Sequence, residues 1–273
     1  MTEQTPGTPD YTMGFSEDIV EVLKRSTVED SAAYLLPHLR PGLRVLDFGC
    51  GPGTVSVGLA RAVARGELHG VDMEKSQIEL ARAVAEAHGQ ENTVFHVGDV
   101  LDLPFTDGFF DVAHCHNVLM HIPDTHAALT EVKRVLKPGG IMGCREMICE
   151  SSFAHPDAGG VQTAWRGFED LVDADDGHAQ MGKEVKNHLI EAGFVHVRIT
   201  AAFHVFSEPE ELDFFYGLVT RWFLAPEITG AAIKYGAATA RMAENIKAAY
   251  EAWREHPGAF AAIAFGQAVA VKP

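Results

Sequence analysis

The stretch that decides the fold is Val45–Thr54, VLDFGCGPGT, which joins an apolar run to a helical segment, TVSVGLARAVA. Its glycines at 49, 51 and 53 follow a GxGxG spacing. A dinucleotide loop, GxGxxG, would need its third glycine at position 54. Glycine accepts positive φ and lets a ligand approach the backbone, and a helix beginning near Thr54 directs N–H groups and partial positive charge at that ligand. The loop therefore predicts a site for an anionic group, either a carboxylate or a pyrophosphate.

Three aspartates near strand ends narrow the choice of ligand class. Asp47 would repel a pyrophosphate but suits the ammonium group of an amino acid, directly or through water. Asp72 ends the run LHGVD, 19 residues beyond Gly53, where acidic residues hydrogen-bond ribose hydroxyls. Asp99 follows a third apolar run and can accept from the exocyclic amine of adenine. An amino acid, a ribose and an adenine together describe S-adenosylmethionine rather than NAD.

The first half of the chain alternates strand-like and helix-like segments. Strands are predicted at 43–48, 67–72, 93–97, 110–116 and 140–147, and helices at 54–65, 75–88 and 125–136, after one or two helices within 16–39. This alternation predicts a parallel sheet covered by helices on both faces. Ligands of such sheets bind at the carboxyl ends of the strands.

The second half has longer interruptions. It predicts no clear strand in 149–181, a helix at 182–192, a strand at 194–202, helices at 208–225 and 227–256, and a final strand within 258–273. We interpret the chain as one domain, 1–273, with an N-terminal helical cap at 10–40 and lid insertions at 149–181 and 203–256. Both insertions leave carboxyl ends of strands, so they are expected to roof the site.

Composition limits the partners. Lys and Arg number 22 against 38 Asp and Glu, a formal charge of −16, which disfavours nucleic acid and anionic membrane surfaces. The N-terminus lacks an apolar signal core, and no apolar run is long enough to span a bilayer. The four cysteines form no CxxC pair. A cytoplasmic protein without stable membrane insertion is expected, and a homodimer is possible.

Four motifs occur in order: VLDFGCGPGT at 45–54, GVD at 70–72, GDVLDLPFTDGFFDVAHCHNVLMHIPD at 98–124 and LTEVKRVLKPGGIM at 129–142. With them the chain resembles a class I S-adenosylmethionine-dependent methyltransferase of the ubiquinone/menaquinone-biosynthesis type. The resemblance implies a Rossmann-like α/β sheet of seven strands, the last antiparallel, with helices on both faces and a helical lid. It also implies cofactor contacts at Asp47, Gly49, Cys50, Gly51, Asp72, Met73, Gly98, Asp99, Val100 and His116.

Each motif residue also has a simpler explanation. The glycine loop can be a tight strand-to-helix turn, Asp72 a helix N-cap and Asp99 a turn residue. Their joint occurrence favours the cofactor site. An NAD-linked oxidoreductase and a non-catalytic cofactor-binding protein remain the alternatives outside methyl transfer.

Histidines crowd the end of the fourth predicted strand. His114, Cys115, His116 and His121 do not form a recognisable tetrahedral set, so no metal is expected. Methyl transfer draws much of its rate from proximity, alignment and exclusion of water. An ionised carboxylate nucleophile needs no base, whereas a phenol, amine or carbon acid can need a histidine. His121 is the candidate catalytic residue, and His116, His155 and His178 are other candidate bases.

The lid is rich in aromatic residues, which favours a hydrophobic substrate. Candidate substrate contacts are Gln162, Trp165, Phe215, Tyr216 and Trp222, and Arg145 or Arg166 can hold an oxygen-bearing head group. The lid and the N-terminal segment are similar to bacterial small-molecule methyltransferases, including fatty-acid O-methyltransferases, and this implies that Tyr11 reaches the methionine end of the cofactor. O-methylation of a carboxylate such as a free fatty acid is favoured. C-methylation of a quinone or isoprenoid, and O- or N-methylation of another natural product, remain alternatives.

Overall fold

A seven-stranded sheet forms the centre of the protein in a computed structural model, which describes residues 20, 23–157, 161–174, 176–220 and 240–273. The strands are β1 Arg44–Phe48, β2 Glu67–Asp72, β3 Thr93–Val97, β4 Phe110–His116, β5 Leu136–His155, β6 Val195–Phe206 and β7 Phe260–Val271. Their order is β3-β2-β1-β4-β5-β7-β6. Strands β1 to β5 pair in parallel, and β7 runs antiparallel to β5 and β6. The predicted mixed sheet with an antiparallel last strand is confirmed.

Strand β1 is buried on both faces, as expected for a central parallel strand. Val45 packs in a core beneath one face of the sheet with Val57 and Leu59. Leu46 and Phe48 point to the opposite face and join a second, larger core, because successive side chains of a strand alternate. The two cores hold the carboxyl end of β1, and with it the glycine loop, in a fixed position.

Helices cover both faces of this sheet. They are α1 Val28–Ser31, α2 Thr54–Ala62, α3 Lys75–Ala87, α4 Thr125–Val135, α5 Val161–Ala174, α6 Met181–Glu191, α7 Pro209–Leu218 and α8 Ala240–Arg254, with 3₁₀ turns at Leu36–His38 and Leu119–His121. The local sequence determines where several of these helices begin. The Asp124 carboxylate accepts from the Ala127 N–H and caps α4, and Pro209 begins α7 behind a capping box.

One prediction is wrong for strand β5. The strand extends into the region 149–181, where no strand was predicted, and ends at His155. Its ladder with β7 is interrupted between Ile148 and Phe153 and then resumes. At the interruption the Ser152 hydroxyl donates to the Ile148 carbonyl and accepts from the Ala264 N–H, at 3.1 and 3.0 Å. A local side-chain bridge therefore keeps the two strands together beyond the irregularity. Strand β6 likewise runs to Phe206, beyond the predicted end at 202.

The predicted helices of the cap and lid are only partly represented. Between residues 25 and 39 the described chain has α1 and one 3₁₀ turn, so the helices predicted within 16–39 are much shorter there. Helices α7 and α8 lie within the predicted lid helices, whereas 221–239 is outside the described residues. The boundaries of the cap and the lid remain predictions. Among the helices that the structure describes, none combines the length and apolar character needed to cross a bilayer.

Candidate active site

A cavity of about 360 Å³ lies at the carboxyl edge of the parallel strands. Residues that follow four strands line it: Gly49 and Gly51 after β1, Asp72 and Met73 at the end of β2, Gly98, Asp99 and Val100 after β3, and His116 and Asn117 at the end of β4. The opposite wall comes from the cap, the lid and β7. Eight of the sequence-predicted cofactor residues therefore meet in one cavity of ordinary ligand-site size.

In the glycine loop, positions 49 and 51 require glycine for different reasons. Gly49 and Gly51 have φ of +62° and +51°. A Cβ at Gly49 would lie 2.3 Å from the Val118 side chain, so packing excludes any larger residue there. A Cβ at Gly51 would meet only Leu23, at 3.9 Å. Gly51 therefore leaves an open ledge on the cavity wall that a ligand can occupy.

Two carboxylates, those of Asp72 and Asp99, line the same cavity. Asp72 accepts from the backbone N–H groups of Gly51 and Glu74, at 2.9 and 3.0 Å, and burial raises the pKa of its carboxyl group. Asp99 accepts from the Leu101 N–H at 2.9 Å. Each carboxylate retains acceptor capacity. An open ledge and two carboxylate acceptors in one cavity suit a nucleoside that bears an amino-acid chain, which is the chemistry of S-adenosylmethionine.

The structure gives Asp47 and Cys50 different roles from those predicted. Asp47 is 3% exposed and is not among the cavity-lining residues. Its carboxylate accepts from the Ser56 hydroxyl and lies 2.8 Å from His114 Nδ1, so it ties β1 to α2 and β4. The Cys50 N–H donates to the Val71 carbonyl, and its thiol is buried away from the cavity wall. Neither residue lines the cavity, so the structure gives both a structural role, and the contact predicted for Asp47, directly or through water, stays a prediction.

Arg145 is a buried cation on the cavity wall. It is 3% exposed and pairs across the sheet with His116, whose Nε2 and Nδ1 lie 3.3 and 3.5 Å from its Nη1. Its guanidinium carbon lies 3.3 Å from the centroid of the Phe265 ring. Burial lowers its pKa to about 10, so it is charged at neutral pH.

No carboxylate of the described residues forms an ion pair with Arg145, and within that part of the chain its Nε has no hydrogen-bond partner. A buried cation is costly without a partner. The cavity next to Arg145 therefore favours an anionic ligand group.

The two histidines of the wall are weak bases. Burial, and then the charge of Arg145, hold the pKa of His116 well below its usual range. Burial lowers the pKa of His121 to about 4. Both imidazoles are therefore neutral near pH 7. His121 lines the cavity as predicted for the catalytic candidate, but its low pKa makes it a poor proton acceptor.

Glu146 organises the turn after β4, and it is not among the residues predicted from the sequence. It is fully buried. Its carboxylate accepts the backbone N–H groups of Val118, Leu119 and Met120, at 3.2, 3.1 and 3.3 Å. Burial raises its pKa to about 7. The available signal was a lone acidic residue inside the apolar run IMGCREMIC, which requires buried partners.

The aromatic residues of α7 that line the cavity are not the ones that were predicted to contact the substrate. Phe215 is fully buried, with its ring centroid 5.6 Å from that of Trp253, and the Tyr216 hydroxyl donates to Glu251. Neither lines the cavity, because their positions on α7 face α8. Phe214 lines it instead, beneath the guanidinium of Arg25. The predicted substrate contacts of Phe215 and Tyr216 are therefore corrected.

Four other predicted residues are not placed by the structure. Tyr11 and Trp222 lie outside the described residues, and Gln162 and Trp165 belong to α5 but their side chains are not described. Apolar lining residues that the sequence analysis did not identify are Met147, Phe168, Phe206, Phe214, Leu218, Ile263 and Phe265. They come from five separate elements and the sequence segments give no hint that they converge.

Comparison with known proteins identifies the family. Residues 39–193, more than half of the chain, match the family model described as a methyltransferase domain. The chain belongs to this family and, with its mixed seven-stranded sheet, to the class I S-adenosylmethionine-dependent methyltransferases. The resemblance drawn from the four motifs is confirmed.

Individual relatives agree with this assignment. The chain is 39% identical to an uncharacterized methyltransferase of Schizosaccharomyces pombe over 155 residues, which is 54% of this chain and 55% of the relative. It is 32% identical to the 27-O-demethylrifamycin SV methyltransferase of Amycolatopsis mediterranei, over 66% of this chain and 64% of the relative. The matched region thus spans 55% and 64% of the length of these two curated relatives.

A solved structure shares the fold. The phosphoethanolamine N-methyltransferase 2 of Haemonchus contortus, in complex with S-adenosyl-L-methionine, is 16% identical, with a TM-score of 0.52. The match covers 86% of this chain and 50% of that one. At this identity the likeness concerns the fold alone.

Proposed function

We propose that the protein transfers a methyl group from S-adenosylmethionine to the carboxylate of a small hydrophobic acid, such as a free fatty acid. The observation that carries this proposal is Arg145, a buried cation on the cavity wall without a carboxylate partner in the described chain. The membership of the methyltransferase domain family supports the reaction class.

The cofactor half of the proposal rests on the glycine loop and the strand ends. Gly51 leaves an open ledge on the cavity wall, and in this proposal Asp72 accepts from the ribose hydroxyls and Asp99 from the adenine amine. When bound, S-adenosylmethionine supplies a methyl group on a cationic sulfonium. The protein aligns the nucleophile with that methyl group and excludes water from it.

The substrate half rests on the opposite wall. Apolar side chains such as Phe168, Phe214 and Ile263 line it. Arg25, Asp30 and Arg145 bring charge to the same cavity, and of the two arginines only Arg145 is buried. An amphiphile with one anionic head and an apolar body matches this arrangement. A charged hydrogen bond to arginine would hold the head group in place.

The histidines favour a nucleophile that is already ionised. A carboxylate near pH 7 has lost its proton and needs no base. A phenol or a carbon acid must lose one, and His121, with a pKa of about 4, is poorly suited to accept it. Of the reactions considered, methylation of a carboxylate is therefore the one that needs no general base.

A hydroxyl of a larger natural product is the second candidate, because one relative is named for methylation of a rifamycin oxygen. C-methylation of a quinone or isoprenoid ring is a third. A cytoplasmic location and a homodimer remain predictions from the sequence.

The test is the variant Arg145→Met, which removes the charge while keeping an apolar chain of similar reach. We expect kcat/KM for a long-chain acid to fall tenfold to a hundredfold, since a hydrogen bond to a charged group is worth about 1.5–3 kcal/mol. The affinity for S-adenosylmethionine should be nearly unchanged. Arg198→Met on β6, whose side chain is exposed, is the matched control. Equal activity of Arg145→Met and the parent would overturn the assignment of Arg145.

A further inference from the structure

Three metal-ligating side chains converge outside the cavity, at the start of α6. They are His178, from the segment before α6, and Glu184 and His188, from the helix itself. We propose that these three residues bind a Zn²⁺ ion. The proposal is independent of the methyl-transfer reaction, and it uses none of the four residues weighed for a metal from the sequence.

The spacing of the three ligand atoms supports a shared ion. Glu184 and His188 are four residues apart and share one face of α6. Glu184 Oε2 lies 3.8 Å from His178 Nδ1 and 3.7 Å from His188 Nε2, and the three ligand atoms all lie within 4.8 Å of one another. These separations exceed a hydrogen bond. Ligand atoms bound tetrahedrally to zinc at ~2.0–2.2 Å stand roughly 3.4 Å apart, so small side-chain rotations bring them into place.

The donor set selects the metal. Two imidazoles and one carboxylate suit zinc, whereas Mg²⁺ and Ca²⁺ prefer oxygen ligands. Three protein ligands leave a fourth position for water. The side chains are between 21% and 46% exposed, so an ion can reach them from solvent.

At this position a bound ion would affect the structure around the active-site cavity. The His178 N–H donates to the Met120 carbonyl at 2.8 Å, and the Cys149 N–H donates to the Ala179 carbonyl at 3.2 Å. Met120 lines the active-site cavity. A zinc ion would therefore tie the segment that supports this wall to α6, and it would stabilise the fold without touching the reacting atoms.

Calorimetric titration of untagged, chelator-treated protein with ZnCl₂ and with MgCl₂ tests the proposal. We expect one Zn²⁺ per chain, a rise in melting temperature, reversal by EDTA, and no binding of Mg²⁺. Glu184→Gln and His188→Ala should each weaken zinc binding at least tenfold. His126→Ala, an exposed histidine on α4, should bind zinc like the parent.

The metal-free melting temperatures of all variants show whether each is folded before zinc is added. Zinc affinity and stoichiometry that are the same in His188→Ala and the parent would place the ion elsewhere and overturn the proposal. So would binding of Mg²⁺ at comparable affinity, or a melting temperature that zinc does not raise.

Discussion

At the scale of single residues, the glycine ledge makes the sharpest prediction. Gly51 has φ of +51°, where a Cβ costs roughly 1–2 kcal/mol in backbone strain. The Cβ of a larger residue would also take up open space at the cavity wall. We expect Gly51→Ala to lower the affinity for S-adenosylmethionine at least tenfold while the protein stays folded. Calorimetric titration with S-adenosylhomocysteine measures it.

A matched control separates strain from occlusion. Gly89 has φ of +60° and nothing within 4 Å of an added Cβ, and it lies away from the cavity. Gly89→Ala should lose similar stability and keep full cofactor affinity. If Gly51→Ala binds as tightly as Gly89→Ala, the ledge faces no ligand.

Asp72 carries the second prediction at this scale. Removing its carboxylate takes the acceptor away from the Gly51 N–H and, in the proposed site, from the ribose hydroxyls. Asp72→Ala should weaken S-adenosylmethionine binding tenfold to a hundredfold, about 1.5–3 kcal/mol. Equilibrium dialysis with labelled cofactor can compare it with Asp102→Ala, an exposed aspartate in the segment after β3. Unchanged affinity would remove Asp72 from the site.

The role of a single residue could be predicted where local backbone geometry determines it. It could not be predicted where it depends on a side chain that is distant in the sequence. The glycine spacing and the aspartates at two strand ends follow from strand-to-helix geometry, so their place on the cavity wall could be predicted. Asp47 could not be assigned this way, because its partner His114 lies 67 positions along the chain. Arg145 was one of several head-group candidates, and only the pairing of β4 with β5 distinguishes it.

At the scale of elements, the turn after β4 depends on one buried carboxyl group. The pKa of Glu146 is raised in the folded state from its usual 4.5 to about 7. A raised pKa means that the folded state holds the proton more tightly than the unfolded state. The resulting stability is full below about pH 4.5 and is lost as pH rises through about 7.

Glu146→Gln should therefore gain stability relative to the parent between pH 5 and pH 8, by up to a few kcal/mol. Urea unfolding of both proteins at the two pH values gives this difference. Glu79→Gln, at an exposed position on α3, controls for the general loss of a carboxylate. A difference between parent and Glu146→Gln that stays constant with pH would show that Glu146 does not titrate in this range.

Helix α7 offers a matched pair of neighbouring phenylalanines. Phe215 is fully buried against α8, so Phe215→Ala should lower the free energy of unfolding by about 3–5 kcal/mol. Phe214 lines the cavity. Phe214→Ala should lower kcat/KM for long-chain acids, increasingly so with chain length, since each buried CH₂ contributes about 0.8 kcal/mol.

Melting temperatures alongside kinetics for both variants complete this comparison. Equal losses of Phe214→Ala on short and long acids would contradict a role for Phe214 in holding the chain.

Element prediction succeeded where the hydrophobic period was clear. The strands β1 to β4 and the helices α2 to α4 are short and regular, and the sequence placed them closely. The far end of β5 was missed because its ladder is interrupted after Ile148 and is restored by pairing with β7, more than 100 residues away. The residues of α7 that face the cavity could not be separated from those that face α8, because the helix is apolar on several faces.

At the scale of the whole molecule, the antiparallel last strand completes the site. Strand β7 enters between β5 and β6 and brings Phe265 beneath the guanidinium of Arg145. The two residues are diagonal neighbours, since Arg145 pairs with Gln267 and Met147 with Phe265. The family motifs, which end near residue 142, predicted the sheet but carry no information on this contact.

We propose that this fold joins a methyl-donor site to a hydrophobic pocket in which the buried Arg145 binds the anionic head group of the substrate. The most direct measurement supplies methyl-labelled S-adenosylmethionine and a matched set of equal chain length: an acid, a primary alcohol and an amide, with a phenol as the ring comparison. Mass spectrometry identifies the labelled product. We expect the methyl ester of the acid as the dominant product. Labelling of the phenol or the alcohol with none in the acid would contradict it.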